Sequence, residues 1–171
     1  MKTARLIAAL LLLPLPCWAL DSDRNEPIEV EADRLEVREL ENVSIYEGNV
    51  RLVQGSLKID SDRMVIHFDE ENELTLMEMT GKPAKFRQLD NDRRQIYGEA
   101  EQIDYSDADS LLIMRKSAYL DHAGDVIRSD LIRVNTATNN IEAGSTESED
   151  RVKMIIKPRK ETPADAPEQG N

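Results

Sequence analysis

The chain has 171 residues, with 34 acidic against 22 basic side chains and a net charge of −12 at neutral pH. This balance argues against nucleic acid as a partner, because phosphate binding requires clustered Lys and Arg, and here the basic residues are interspersed with acids. Aromatic residues make up only 4% of the sequence, so an apolar interior must be filled mainly by aliphatic and methionine side chains.

The first 19 residues have the pattern of a secretory signal peptide. Lys2 and Arg5 precede an apolar run over residues 6–15, and small residues follow at the positions that a signal peptidase reads. We therefore predict cleavage after Ala19. An apolar run of about ten residues is too short for a helix to span about 30 Å of hydrocarbon, which argues against a permanent membrane anchor.

Cys17 raises the alternative of a lipoprotein, whose mature chain begins with cysteine. Pro16 disfavours this alternative, because it stands where that pathway prefers a small residue. Cleavage after Ala19 leaves a mature chain without cysteine and with a net charge of −14. The stability of that chain then owes nothing to disulfide bonds, although the compartment permits them.

Residues 28–156 alternate between apolar and polar positions with a period of two, which predicts β-strands with one wet face. Clusters of turn-forming residues interrupt the alternation at short, even intervals, for example at residues 47–49, 81–83 and 90–92. This spacing favours short antiparallel strands over parallel strands joined by helices. The predicted fold class is therefore all-β.

A strand-rich block occurs twice, at an offset of 68 positions. Ile45 and Leu52 return as Ile113 and Leu120, and other apolar positions stay apolar although the residue changes. Fixed-period similarity predicts stacked units that bury their apolar side against their neighbours, with open ends. We expect Ile45 and Ile113 to face inward with the other repeated apolar residues.

The alternation ends at Pro158. Residues 158–171 combine prolines, glycine and charged residues, so we predict a disordered tail that buries too little surface to become ordered. The predicted organisation is a signal peptide over residues 1–19, one β domain over residues 20–157 and the tail over residues 158–171.

Few residues suggest catalysis or cofactor binding. The two histidines, His67 and His122, are 55 positions apart, and no serine or cysteine stands in a recognisable nucleophile motif. Residues 90–92 offer carboxylate ligands but lack the glycine and distal glutamate of a calcium loop. No phosphate-binding loop is present. We predict a protein that is not an enzyme and that has neither a cofactor nor a metal site.

The predicted inward positions are mostly aliphatic or methionine, which leaves two interpretations open. One is a dry, fully packed β core. The other is an apolar groove that accommodates acyl chains, for which thin branched side chains and adaptable methionines are well suited.

Several repeated segments resemble the OstA-like family of organic-solvent-tolerance proteins. The resemblance rests on residues 32–35, 46–52 (Tyr-Glu-Gly-Asn-Val-Arg-Leu), 54–62 and 81–86 (Gly-Lys-Pro-Ala-Lys-Phe), and it covers residues 27–157. It implies a twisted antiparallel β-jellyroll of stacked short strands, open at both ends, in the periplasm. It also implies a bridge that binds lipopolysaccharide and passes it from the inner to the outer membrane.

The resemblance supplies candidates for the lipid groove where the motifs match. Ile28 and Val30 follow a proline as the N-terminal strand residues of the family do, and Phe86 closes the Gly-Lys-Pro-Ala-x-Phe segment. Val37 and Tyr105 occupy matching inward positions of the two copies. These five residues are the predicted lining of a groove for the acyl chains of lipid A.

The resemblance also implies partners at the two ends of the sheet. The expected partner edges contain Ile28 and Val30 at one end and Val152, Met154 and Ile156 at the other. They would pair head to tail with further copies of this chain and with the β-jellyroll modules of LptC and LptD, the N-terminal edge meeting LptC. The alternative is a structural β assembly module that binds partner proteins without lipid.

Overall fold

The computed structural model of the chain describes residues 23–144 and 151–158. The predicted signal peptide over residues 1–19 lies outside the described residues, and so does the predicted tail beyond Pro158. No helix within the described ranges has the length and apolarity to cross a membrane. The boundaries of the β domain stay predictions.

The regular structure of the described residues is almost entirely β-strand. Two 3-10 turns occur at Asp23–Asn25 and Glu39–Glu41. The strands are β1 (Glu29–Glu31), β2 (Arg34–Arg38), β3 (Val43–Gln54), β4 (Leu57–Phe68), β5 (Leu74–Leu89), β6 (Gln95–Ser106), β7 (Leu111–His122), β8 (Asp125–Asn135), β9 (Asn140–Ala143) and β10 (Lys153–Ile155).

All ten strands form one antiparallel sheet, in the order β1-β3-β4-β5-β6-β7-β8-β10. Strand β2 pairs with β3 beside β1, and β9 pairs with β8 beside β10. Within the described residues the terminal strands do not pair with one another, so the sheet is open at both ends. The predicted antiparallel β-jellyroll with open ends is confirmed, but strands β3 to β8 are long, with 11–16 residues each, and not short as predicted.

The long strands bend at a common level. The pairing register shifts there in each successive pair, at Glu47/Val50, Asp60/Arg63, Thr80/Ala84, Glu99/Gln102 and Arg115/Ala118. Because such bulges bend strands and increase their twist, a line of them folds the sheet over. Each long strand thus contributes to two half-sheets, whose inner faces enclose one core.

Two predicted turns are wrong for this reason. Residues 47–49 lie within β3 and residues 81–83 lie within β5, both of which continue past the bend. Glycine, asparagine and proline are favoured in bulges as well as in turns, so composition alone does not distinguish the two.

The Gly-Asn pair of β3 is required by the bulge. Gly48 and Asn49 both have positive φ, and the Asn49 Nδ2 donates to Asp33 Oδ2 at 2.8 Å. A Cβ at position 48 would collide with the Asp33 side chain. The second copy places Lys116 and Ser117 in the same left-handed conformation without a glycine.

The bend is narrow because small residues face inward there. Ala84 pairs with Ala100, and Ala118 with Ser129; the three alanines are almost fully buried. Larger side chains occupy the rows on either side, where the half-sheets diverge. The core therefore widens from the bend towards the strand ends.

The offset of 68 corresponds to a shift of four strands. Strand β3 begins at Val43 and β7 begins at Leu111, 68 positions later. Leu52 and Leu120 fall in one row of cross-strand neighbours that runs through Ile59, Phe86 and Gly98. The repeat is thus a repeat of register along one continuous sheet.

The inward placement of Ile45 and Ile113 is wrong. Ile45 pairs with Glu36 and Val65, a row of the outer face, and Ile113 pairs with Asp104 in the same row. Because apolar residues stand on both faces of this half-sheet, the alternation did not reveal which of them face the core.

Candidate functional site

A cavity of about 360 Å³ lies between the two half-sheets. One half-sheet contributes Ile59, Phe86 and Leu120 to its wall, and the other contributes Met77, Met79 and Ile103. These residues belong to the single core cluster and are 9% exposed or less. The interior is therefore incompletely filled, and its wall is aliphatic, thioether and aromatic.

The mouth of the cavity is lined by the ends of the strands. Asp23, Gln54 and Gln88 lie at the ends of one half-sheet, and Glu73, Asp107 and Thr136 at the ends of the other. No Lys or Arg of the described residues lines this cavity. Polar and acidic side chains thus lie at the mouth, while the wall behind it is apolar.

The rim of the cavity that contains Asp23, Gln54 and Gln88, called the first rim, is stabilised by the N-terminal segment. The Ser56 amide donates to Asp23 Oδ1 at 3.0 Å, and the Ser56 hydroxyl donates to Asp23 Oδ2 at 2.5 Å. The same hydroxyl accepts a hydrogen bond from the Leu89 amide at 3.0 Å. Asp23, which is only 4% exposed, therefore joins the β3–β4 turn to the end of β5.

The same rim contains a buried carboxylate, Asp90. Its Oδ1 accepts from the amides of Asp92 and Arg94, and its Oδ2 accepts from Arg94 Nε at 2.8 Å and lies 2.9 Å from His122 Nε2. Burial, the largest influence, raises the pKa of Asp90, but the hydrogen bonds from His122 and Arg94 outweigh it and lower that pKa to about 2. An ionised Asp90 thus ties the β5–β6 turn to the end of β7.

The second rim is fixed by the ends of β5, β6 and β8. The Asp107 amide donates to the Thr75 carbonyl at 3.0 Å, and the Thr136 amide donates to the Ser110 carbonyl at 2.8 Å. The Tyr105 hydroxyl donates to Asp107 Oδ1 at 2.8 Å. Tyr105 therefore presents its ring to the cavity while its hydroxyl is held at the rim.

Three of the five sequence-predicted groove residues line the cavity. Phe86 is 9% exposed and Tyr105 is half-buried, whereas Ile28 is 47% exposed at the mouth. Val30 packs against the same core, in the row that contains Phe86. Val30 therefore lies on the same inner face as Ile28, Phe86 and Tyr105.

Val37 does not line the cavity and is 57% exposed. It pairs with Ser44, in a row that continues through Ile66 and Met77 to Tyr105. Directly paired residues of a sheet share one face, so Val37 is on the inner face. Its exposure arises because β2 is an edge strand with no neighbour beyond it.

The residues predicted for the C-terminal edge are also exposed. Met154 lies in β10 and is 55% exposed, while Val152 and Ile156 flank the strand and are 46% and 67% exposed. Met154 pairs with Ile127, in the row of Val30 and Phe86. Apolar inner-face residues thus reach both open ends of the sheet.

Sequence reasoning missed several lining residues, among them Leu57, Met77 and Met79. Leu57 stands two positions before Ile59 and was available from the alternation. Met77 and Met79 were harder to find, because the irregular pairing at Phe68/Leu74 interrupts the period before β5 reaches the core.

The described residues contain no cluster of three or more His, Cys, Asp or Glu side chains placed to hold a metal ion. His122 is bound to Asp90, and His67 Nε2 lies 2.9 Å from Glu78 Oε2 on the other half-sheet. The first pair connects the β5–β6 turn to the end of β7, and the second connects β4 to β5. The cavity thus has an apolar wall, and its polar side chains lie at the mouth.

Comparison with known proteins identifies the family to which the chain belongs. The sequence profile of the family described as LptA/(LptD N-terminal domain) LPS transport protein matches residues 29–140. The chain belongs to this family. Its match spans β1 to the start of β9 and so includes the whole bent part of the sheet.

Individual relatives cover most of the chain. The lipopolysaccharide export system protein LptA of Escherichia coli (strain K12) is 29% identical over 154 residues, which are 90% of this chain and 83% of that protein. The lipopolysaccharide export system protein LptH of Pseudomonas aeruginosa is 28% identical over 151 residues, or 83% and 85% of the two chains.

A solved structure has the same fold. The crystal structure of LptH, described as the LptA homologous periplasmic component of the lipopolysaccharide transport device of Pseudomonas aeruginosa, superimposes with a TM-score of 0.71 at 26% identity. The match covers 80% of this chain and 99% of that chain.

Proposed function

We propose that this chain is a periplasmic lipopolysaccharide-binding bridge protein, which passes lipopolysaccharide from the inner to the outer membrane. The observation that carries the proposal is the open-ended apolar interior, whose rows of inner-face residues run from one exposed edge of the sheet to the other. The names of the relatives, lipopolysaccharide export system proteins, support the same function.

The interior suits the acyl chains of the ligand. Removing an acyl chain from water gains about 0.8 kcal/mol per methylene, or about 10 kcal/mol for a chain of about twelve carbons. A chain that slides along the groove leaves one apolar patch as it enters the next. Movement along the path therefore costs little, while escape into water costs nearly the full gain.

The phosphorylated sugar head of the ligand remains in water. The mouth of the cavity presents acidic and neutral side chains, such as Asp107 and Gln88, and no basic side chain of the described residues lines it. An anionic head would find no ionic partner inside and would have to be desolvated to enter. The groove thus selects the acyl part of the ligand.

The transport role is passive and needs no catalytic group. The histidines and the buried carboxylates hold strands and turns together, as Asp90 and His122 do at the rim. Direction must come from a motor elsewhere. We infer that the chain is not an enzyme.

The edges of the sheet suit head-to-tail contacts. Strand β10 has the direction that would pair antiparallel with β1 of a second copy, since the strands alternate in direction across the whole sheet. If the inner-face row that contains Val30 and Met154 continues across the joint, Met154 would adjoin Val30, and Lys153 would adjoin Glu31. Backbone pairing of exposed edges is a common mode of recognition between β modules.

The same edges would join this chain to the modules of LptC and LptD, with the N-terminal edge towards LptC. Leu35 and Val37, exposed at the N-terminal edge, would then be covered by the next module. The apolar interior would continue across each joint, so that acyl chains need not enter water between modules.

Photocrosslinking tests the proposal directly. A photoreactive amino acid at Phe86 or Tyr105 should form an adduct with lipopolysaccharide, because both side chains line the cavity. The matched control is Lys85, which precedes Phe86 in β5 and is exposed on the outer face; it should form little or none.

Adducts at Lys85 equal to those at Phe86 would contradict lipid passage through the interior. Absence of adducts at Phe86 and Tyr105, together with intact binding of partner proteins, would instead support a structural assembly module with a closed core. The gel mobility and mass of the irradiated protein distinguish these results.

A further inference from the structure

Phe86 and Gly98 form an unusual pair in the middle of the groove. They are direct neighbours on β5 and β6, and both are buried on the inner face. A Cβ at position 98 would lie 2.6 Å from Cζ and 2.9 Å from Cδ1 of Phe86, and closer still to Cε1. The ring of Phe86 therefore occupies the space that a side chain at position 98 would fill.

The backbone does not explain the glycine. Gly98 lies within β6, pairs with Phe86 on one side and Leu120 on the other, and is not among the glycines with positive φ. Alanine could adopt this conformation without strain. The requirement for glycine at this position comes from the neighbouring ring alone.

A displaced Phe86 ring could move only into the cavity. On its opposite side, Phe86 adjoins Ile59, which is 3% exposed in the same row. A ring displaced from Gly98 must therefore project into the cavity that Phe86 already lines. Because β5 and β6 stand at the middle of the strand order, an acyl chain that travels from end to end passes this point.

We propose that Gly98 determines the width of the groove at its midpoint, by providing the notch in which the Phe86 ring lies. Phe86 and Gly98 thereby limit how many acyl chains can pass side by side through the groove. The pair thus selects among glycolipids by the number of their acyl chains. This inference rests on the proposed lipid-binding function.

The test compares two lipid A preparations that differ only in the number of acyl chains. The Gly98→Ala variant should lose about tenfold in affinity for the preparation with more chains and distinctly less for the other, because the displaced ring narrows the groove. The double variant Phe86→Leu with Gly98→Ala should recover the wild-type preference, since leucine does not reach position 98.

The control is Ala108→Ser, which adds one heavy atom at the exposed turn between β6 and β7, outside the bend and outside the residues that line the cavity. It should leave the preference unchanged. Denaturant unfolding of each variant separates a loss of stability from a change in preference, because a purely structural role of Gly98 would lower stability without altering the ratio of the two affinities.

A folded Gly98→Ala variant with the wild-type affinity ratio would overturn the inference. If that variant does not fold, Phe86→Leu alone decides: a relative gain for the preparation with more chains supports it, and an unchanged ratio overturns it. Failure of the wild-type protein to bind either preparation would refute the proposed function itself, which is a distinct result.

Discussion

At the scale of single residues, Asp90 shows how a buried charge holds the rim of the groove. Its carboxylate is 5% exposed and is surrounded by donors from Asp92, Arg94 and His122. Burying a carboxylate is costly unless its oxygens are hydrogen-bonded, and here four donor atoms surround them. The charged form is therefore the stable one in the folded chain.

This arrangement predicts a pH-dependent contribution to stability. The folded pKa of Asp90 is about 2, against an ordinary value of 3.8. A lowered carboxyl pKa contributes stability that is present above pH 3.8 and is lost as the pH falls through 2. Asp90→Asn should thus cost about 2 kcal/mol at pH 7, and the difference from wild type should shrink between pH 4 and pH 2.

Urea unfolding across that pH range measures the effect. The control is Asp92→Asn in the same turn, whose side chain is 72% exposed and should contribute no more than about 0.5 kcal/mol. A difference between Asp90→Asn and wild type that stays constant down to pH 2 would contradict the role of ionisation.

At the scale of the strands, the line of bulges decides the shape of the site. Strands β3 to β8 would form an ordinary twisted meander without it, with both faces open to water. Alanines at the bend allow the half-sheets to approach, and larger residues beyond the bend keep them apart. The cavity exists because small residues occupy the bend and larger residues lie on either side of it.

We therefore expect Ala84→Leu to disturb the bend. Ala84 is fully buried and pairs with Ala100, so a leucine there must push the half-sheets apart or leave its preferred rotamer. Such overpacking costs about 1–3 kcal/mol. Thermal unfolding of the variant should show a correspondingly lower midpoint.

The matched control is Ala108→Leu, which makes the same change at an exposed turn between β6 and β7. It should leave the midpoint nearly unchanged. Equal midpoints for both variants would show that the small residues of the bend are not needed for close approach.

At the scale of the whole molecule, the two ends of the sheet carry complementary features. The N-terminal edge has exposed apolar residues and the acid Glu31, and the C-terminal edge has Met154 and the base Lys153. An isolated sheet with such edges is prone to pair with others. Continuation of the sheet would bury both edges.

Charge reversal tests this contact. Glu31→Lys and Lys153→Glu should each weaken self-association, because like charges would then adjoin across the joint, whereas an equimolar mixture of the two variants should associate again through the exchanged pair. Sedimentation over a range of concentrations measures the association.

Glu70→Lys, the same change at the exposed turn between β4 and β5, provides the control and should associate as wild type does. The contact is refuted if the wild-type chain remains monomeric at high concentration. It is also refuted if both edge variants associate normally.

Much of the fold and part of the site could be predicted from the sequence. Alternation with period two is a local property, since successive side chains of a strand point to opposite faces, and it indicated an all-β chain. The repeat predicted stacked units with open ends; the ends are open, but the two copies are strands of one continuous sheet. The segment that ends at Phe86 indicated a lining residue through its resemblance to a family.

The remaining features depend on the pairing between strands, which no local pattern contains. Pairing placed Ile45 on the outer face, brought Met77 and Met79 into the cavity and aligned the bulges into a bend. It also set the Phe86 ring over Gly98, two residues whose closeness arises only from the register of β5 against β6. The sequence by itself determined that the chain is built of strands with apolar residues at alternate positions, whereas the tertiary structure decided where the strands end, which faces meet and how much space is left between them.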